Sequence, residues 1–319
     1  MAAGRIVFVT GKGGVGKTTI TAALGLAAAS AGLSTLVVET AADGSLARLF
    51  NLQQLGFRPR PLVADLAGVA VDPQHLVRDY FSRLLKIPFL VERLLQSTSF
   101  RALTDAAPGV VEFLLLEHLS MWVDAPFWHR RQRFDLVLVD GPASGHMRKL
   151  LQVPRQLLNL VLAGPLRRTA LHLEALLADP SRCLVVPVTL AEELAVQETL
   201  ENWAVLRQEL FLNVSRPVVN RVHPRRFSTA EIRKITSERN GGPLYDAARY
   251  AIAMRQEAER LTKVLHKTTG KRPTFVGENF AGTMTRDDLQ RMGSRLLDAL
   301  LKDAGWLPCQ RAEERDVRP

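Results

Sequence analysis

The chain has 319 residues, 47% hydrophobic and 23% charged, which supplies enough apolar surface for a large buried core. No uninterrupted apolar stretch is long enough to cross a bilayer, and residues 1–4 run straight into an apolar strand pattern. Neither an integral membrane segment nor a cleavable leader is expected, and the expected compartment is the cytoplasm. Lys and Arg number 42 against 32 Asp and Glu, a net charge of +10, but the pairs at 130–131, 167–168 and 225–226 lie far apart without aromatic interleaving or a zinc-finger or RNA-binding signature, which argues for a solvated surface and against a nucleic-acid partner.

The first predicted element is a strand over 6–10. Residues 11–18 follow directly and read GKGGVGKT, completing the pattern GxxxxGK[ST]. Strand, glycine-rich loop and helix in this order predict a phosphate-binding loop. Gly11, Gly13, Gly14 and Gly16 let successive backbone N–H groups, that of Val15 among them, turn inward around an anion. The following helix adds its unpaired N–H groups and its dipole. Lys17 is expected to reach the β- and γ-phosphates, the Thr18 hydroxyl to ligate Mg²⁺, and Thr19 to complete the binding set. ATP and Mg²⁺ are therefore the expected cofactors. The helix itself is predicted over 16–31, closing at Gly32.

Further strands are predicted over 35–39, 135–140, 184–188 and 217–222, each followed by a turn signal and most by a helix-period stretch. This is the pattern of an α/β chain with a mainly parallel sheet flanked by helices, in which ligands bind beyond the carboxyl ends of the strands. Between about 72 and 125 the alternation stops. Leu76, Val77, Tyr80, Phe81, Leu84 and Leu85 recur at helical spacing, as do Leu90, Leu94 and Leu95 beyond a turn at 86–88, and 110–122 is apolar nearly all round. A helical insertion is predicted here, serving as lid, core packing or a groove for an apolar protein client. Helices are also expected over 230–237, 244–265 and 286–301, with a fraying charged tail at 309–319, all within a single domain. Of the two cysteines, Cys183 opens an apolar strand and reads as core, and Cys309 lies in the tail; no Cys/His cluster points to structural zinc.

The motifs together carry a family resemblance. Lys12, directly after the first glycine, gives the loop the form KGGxGK[ST], which resembles the deviant phosphate loop of the MinD, ParA and ArsA group of dimeric ATPases. The run Asp140, Gly141, Pro142, Ala143, Ser144, Gly145, His146 resembles the DTAPTGH switch of ArsA-type anion-pump and guided-entry ATPases. Pro108 to Glu112 is similar to their PGxxE segment, and Asn220 to the strand-end Asn that reads the adenine edge. The resemblance implies a P-loop NTPase working as a nucleotide-sandwich dimer, either a homodimer or a heterodimer with a homologous ATPase. Lys12 then touches the nucleotide of the other subunit, and Asp140 holds the hydration shell of Mg²⁺.

One position departs from the family. Its first switch reads DPAH, where the Asp orients the attacking water; here Ala41 stands at that Asp. Either Glu39 or Asp43 takes the role, or the subunit hydrolyses poorly and depends on a partner. The cysteine clusters that bind arsenite or zinc in the family are also missing. The expected function is an Mg²⁺-dependent ATPase switch acting on a protein client, with a nucleotide-binding regulatory subunit as the alternative and a ParA-like DNA-binding ATPase behind both.

Overall fold

The computed structural model describes residues 4–41, 43–85, 89, 93, 109–124, 133–238, 242–279 and 284–306. The turn at 86–88, Leu90, Leu94, Leu95, Pro108 and the tail at 309–319 lie outside the described residues.

Eight strands form one sheet in the order β3, β4, β2, β5, β1, β6, β7, β8. They are β1 (Arg5–Gly11), β2 (Thr35–Glu39), β3 (Arg60–Val63), β4 (Leu66–Ala70), β5 (Leu136–Ala143), β6 (Cys183–Leu190), β7 (Val218–Val222) and β8 (Thr274–Gly277). All neighbours are parallel except the edge strand β3, which runs against β4. The helices are α1 (Lys17–Ser30), α2 (Ser45–Leu49), α3 (Pro73–Leu85), α4 (Val110–Asp124), α5 (Ser144–Leu160), α6 (Pro165–Ala178), α7 (Glu193–Ala204), α8 (Thr229–Ser237), α9 (Gly242–Thr269) and α10 (Arg286–Ala304). The α/β class with a mainly parallel sheet is as expected.

The central strands are apolar at almost every position because helices cover both faces. Alternate side chains divide the core in two. Ile6, Phe8, Val137, Val139 and Val185 pack with α4, α5 and α6 on one face. Val7, Val9, Leu136, Leu138 and Val186 pack with α1 and α10 on the other. Helix α1 is alanine-rich because it is sandwiched: a Cβ built on Gly293 of α10 would lie 1.9 Å from the Ala23 carbonyl oxygen, so only a glycine permits this approach.

Both described helices of the insertion lie between β4 and β5. Helix α4 is core: Phe113, Leu116, Leu119 and Val123 are buried against the sheet, which explains a sequence apolar nearly all round. Helix α3 rests on α4, fixed by the paired bonds of the Arg83 guanidinium to Glu117 at 2.5 and 2.7 Å.

The positive charge is not scattered. Residues 216–272 hold 14 of the 42 Lys and Arg but 5 of the 32 Asp and Glu, a net +9 of the chain's +10. This stretch runs from just before β7 through α8, which buries none of its residues, and α9 to just before β8.

Candidate nucleotide site

Strand register brings the site together. Parallel pairing sets Asp140 of β5 level with Val9 of β1 and with Glu39 of β2, so the carboxyl ends of these three strands carry Glu39, Asp140 and the loop 11–18 side by side. The loop itself is shaped by two glycines that nothing else can replace. Gly11 has φ +152°, and a Cβ there would sit 2.1 Å from the Val188 carbonyl oxygen. Gly16 has φ +93°, and its Cβ would meet Asn220 Nδ2 at 2.3 Å.

Lys17 begins α1 and folds back over the loop, its Nζ donating to the carbonyls of Gly11 and Lys12 at 3.1 Å each. Beside it the Thr18 hydroxyl donates to Asp140 Oδ2 at 2.7 Å. Asp140 is buried, and its backbone carbonyl accepts from the Thr40 hydroxyl at 2.6 Å, tying β5 to the end of β2. Burial pushes the Asp140 carboxyl up to about 6, against the opposing pull of the Thr18 bond and the Lys17 charge. Burial likewise lowers Lys17, against the raising influence of Asp140 and Glu198. Both members of the pair shift toward neutrality, so desolvation outweighs their attraction. Such a site is improved by a further cation and by an anion.

The residues fit both groups. Thr18 and Asp140 offer neighbouring hard oxygens of the kind Mg²⁺ takes. A Cβ on Gly13 or Gly14 would meet nothing within 4 Å, so the loop is open on the side its exposed residues face, and no acidic residue lies in the first turn of α1 to repel phosphate. Lys12 is also exposed.

The sequence model of the family described as anion-transporting ATPase matches residues 4–164, half of the chain. The chain belongs to the ArsA-type ATPase family. Among its relatives, the ATPase BagA of Mycobacterium tuberculosis is 28% identical over 235 residues, covering 72% of this chain and 68% of that protein. The arsenical pump-driving ATPase of Escherichia coli is 27% identical over 210 residues, 60% of this chain and 35% of the pump protein. A pump-driving ATPase of Acidiphilium multivorum gives 27% over 237 residues, 68% of this chain and 39% of that protein. As a member of the ArsA family the chain is an ATP-binding P-loop ATPase, and among its described residues no helix is long and apolar enough to cross a membrane.

The turn after β2 carries the residues read above as candidates for positioning water. Ala41 is exposed and carries no polar group. Glu39 is buried; its Oε1 accepts from the Leu46 N–H at 3.0 Å and the Ser45 hydroxyl at 3.4 Å, holding the start of α2. Its Oε2 has no protein partner, and burial raises its pKa. Asp43 is exposed, accepts from the Ser45 N–H at 2.9 Å, and is held below the usual carboxylate range by Ser45. Both acids stand close enough to Asp140 to raise its carboxyl, and both are engaged in fixing the turn after β2.

Asn220 comes to the loop from β7. Its Nδ2 donates to the Val15 carbonyl at 2.8 Å, and its Oδ1 accepts from the Arg221 N–H at 2.9 Å, which leaves one N–H and one lone pair uncommitted. In the run after Asp140, a Cβ on Gly141 would come 2.5 Å from the Val9 carbonyl, so this glycine serves close packing on β1. Glu198, which accepts a hydrogen bond from Ser144 of that run, is not signalled by the sequence. Glu198 lies mid-helix, 54 positions from Ser144, and no local pattern signals that contact.

Proposed function

We propose that residues 11–19 hold Mg²⁺–ATP and that the chain, as a single domain of 1–319 in the cytoplasm, works as a slow nucleotide switch in a dimer with a homologous ATPase or a second copy. The observation that carries this is the Thr18 hydroxyl at 2.7 Å from the Asp140 carboxylate, with Lys17 on the same loop. In this reading the N–H groups of the loop and Lys17 bind the phosphates, with Thr18 and Asp140 holding Mg²⁺, whose charge neutralises that developing on the transferred phosphoryl group. The free N–H and lone pair of Asn220 are what it offers an adenine edge. Exposed Lys12 supports a contact made across a dimer interface.

A client is supported by an apolar cavity of about 380 Å³ where α3, α4, α5 and α6 meet. Tyr80, Phe113, Leu114, Leu157 and Leu166 line it, and Leu160 at its rim is 78% exposed. The chain has only two cysteines, so no cysteine-based metalloid site is part of the proposal.

The alternative, a regulatory subunit with little turnover of its own, is favoured by one observation: Ala41 is exposed while Glu39 and Asp43 are both held in the turn. Phosphate release at matched nucleotide occupancy separates the two for wild type, Ala41→Asp, Asp43→Ala and Glu39→Ala. Slow turnover that rises on Ala41→Asp is expected, because a carboxylate in reach of the attacking water contributes roughly 10² to 10⁴ in rate. Fast wild-type turnover abolished by Asp43→Ala alone assigns the role to Asp43 and removes the regulatory reading. Four equally inactive proteins favour the regulatory subunit.

A further inference from the structure

Asn220 apart, the function proposed above uses nothing in residues 216–272, which hold a net +9 of the chain's +10. The longest element of this stretch is α9, whose Ala258, Leu261 and Leu265 pack in one stripe with Val219 and Val222 of β7 and Val196 of α7. Helical periodicity turns the stripe Ala253, Gln256, Arg260, Lys263 and Lys267 to the opposite side, and all five residues are exposed. This outer ridge carries three cationic side chains and no acidic one.

Arg260 donates to Glu257 at 2.7 and 2.8 Å and reaches Glu193 of α7 at 3.5 Å. Lys263 and Lys267, further along the ridge, make no side-chain hydrogen bond or ion pair among the described residues. Helix α8 rests on α9 and adds the exposed Arg233 and Lys234. Aliphatic side chains flank the ridge. Val264 follows Lys263 and is 38% exposed, and Leu194, next to the Glu193 that Arg260 reaches, is 72% exposed. From Ala253 to Lys267 the ridge is about 21 Å long and convex, being the outside of a helix. An extended peptide needs a groove and single-stranded nucleic acid needs aromatic platforms, and the ridge has neither. Lysines that reach outward on long stems beside exposed aliphatic groups suit a headgroup layer, where the ammonium groups meet phosphate and carboxylate and the aliphatic groups enter the acyl boundary.

We propose that the outer ridge of α9, centred on Lys263 and Lys267 and flanked by Leu194 and Val264, docks reversibly on an anionic lipid surface. The attachment is peripheral: charge draws the ridge to the surface, and the two aliphatic side chains add a small apolar contact. It is independent of the reading of 11–18 as a nucleotide site.

The test is co-sedimentation of the full chain with vesicles of phosphatidylcholine alone or with about 30% phosphatidylserine, at about 50 mM and about 300 mM salt. The variants are the double substitution Lys263→Gln with Lys267→Gln, the single Leu194→Ser, and a control pair, Arg295→Gln with Lys302→Gln. The control removes the same charge from α10, which packs on the opposite face of the sheet. All of these side chains are exposed, and thermal melts confirm that each protein is folded. Wild type is expected to bind the phosphatidylserine vesicles at low salt, to leave them at high salt, and to ignore phosphatidylcholine alone. Each lysine at the surface contributes roughly fivefold, so the Lys263/Lys267 double variant should bind about 25-fold more weakly. Leu194→Ser should lose roughly three- to tenfold, and the α10 pair should stay within about twofold of wild type. No binding of wild type to the anionic vesicles, or an equal loss in the α10 pair, overturns the proposal. Displacement from the vesicles by duplex DNA at equal phosphate concentration, through the same two lysines, overturns it in favour of nucleic acid.

Discussion

Replacing Asp140 by Asn is expected to stabilise the fold while removing metal-dependent function. In the folded chain burial raises this carboxyl from 3.8 to about 6, so ionising it costs more there than in the unfolded chain. The native state retains the proton to higher pH, and stability therefore falls as pH rises from about 4 through 6. A shift of about 2 units corresponds to about 3 kcal/mol at pH 7 and roughly half of that at pH 5. Asn is nearly isosteric, still accepts from the Thr18 hydroxyl, and carries no charge to desolvate. In EDTA and without nucleotide, Asp140→Asn should melt above wild type by roughly 4–5 °C at pH 7.5, with a difference of about 2 °C at pH 5. Differential scanning calorimetry at the two pH values reads this directly. A variant that melts at or below wild type at pH 7.5, or by the same margin at both values, would refute the reasoning that desolvation dominates at this carboxylate. Mg²⁺ should reverse the order, because a cation favours the ionised form that only wild type possesses.

Lys12→Ala is expected to leave ATP binding to one subunit unchanged and to weaken nucleotide-linked dimerisation, which sedimentation with a non-hydrolysable ATP analogue measures; a wild type that stays monomeric with every nucleotide, alone and with its nearest homologue, removes the sandwich dimer. Gly293→Ala should cost at least about 2 kcal/mol and lower the melting temperature by several degrees, because the new methyl meets the Ala23 carbonyl at 1.9 Å and α1 and α10 must part. An unchanged melting temperature for Gly293→Ala contradicts that packing.

Much of the candidate site was legible because its pattern is local. The loop 11–18 needs glycines, a lysine and a threonine at fixed spacing, and the strand before it and helix after it are strong periodic signals. What the sequence hid was decided by distant partners. Strand β3 contains Pro61 and pairs antiparallel at the sheet edge, β4 contains Gly68, and β8 has four residues, so none gives a strong strand pattern. The alanines of α1 were readable as helix formers, but their reason, the approach of Gly293 from a helix near the other end of the chain, was not. Glu39 was read as a candidate for positioning water, and its bond to the Leu46 N–H shows a carboxylate also holding α2. The concentration of charge in 216–272 was available in the sequence and is missed when only adjacent arginine pairs are compared.

The central claim is that Lys17 and the loop around it hold nucleotide. Calorimetric titration of Mg²⁺–ATP into wild type and Lys17→Ala tests it most directly, with circular dichroism confirming that the variant keeps its fold. Saturable binding by wild type and none by Lys17→Ala is predicted, since the substitution removes the phosphate counter-charge and no core packing. Equal affinity of the two proteins for ATP would contradict the assignment of the site.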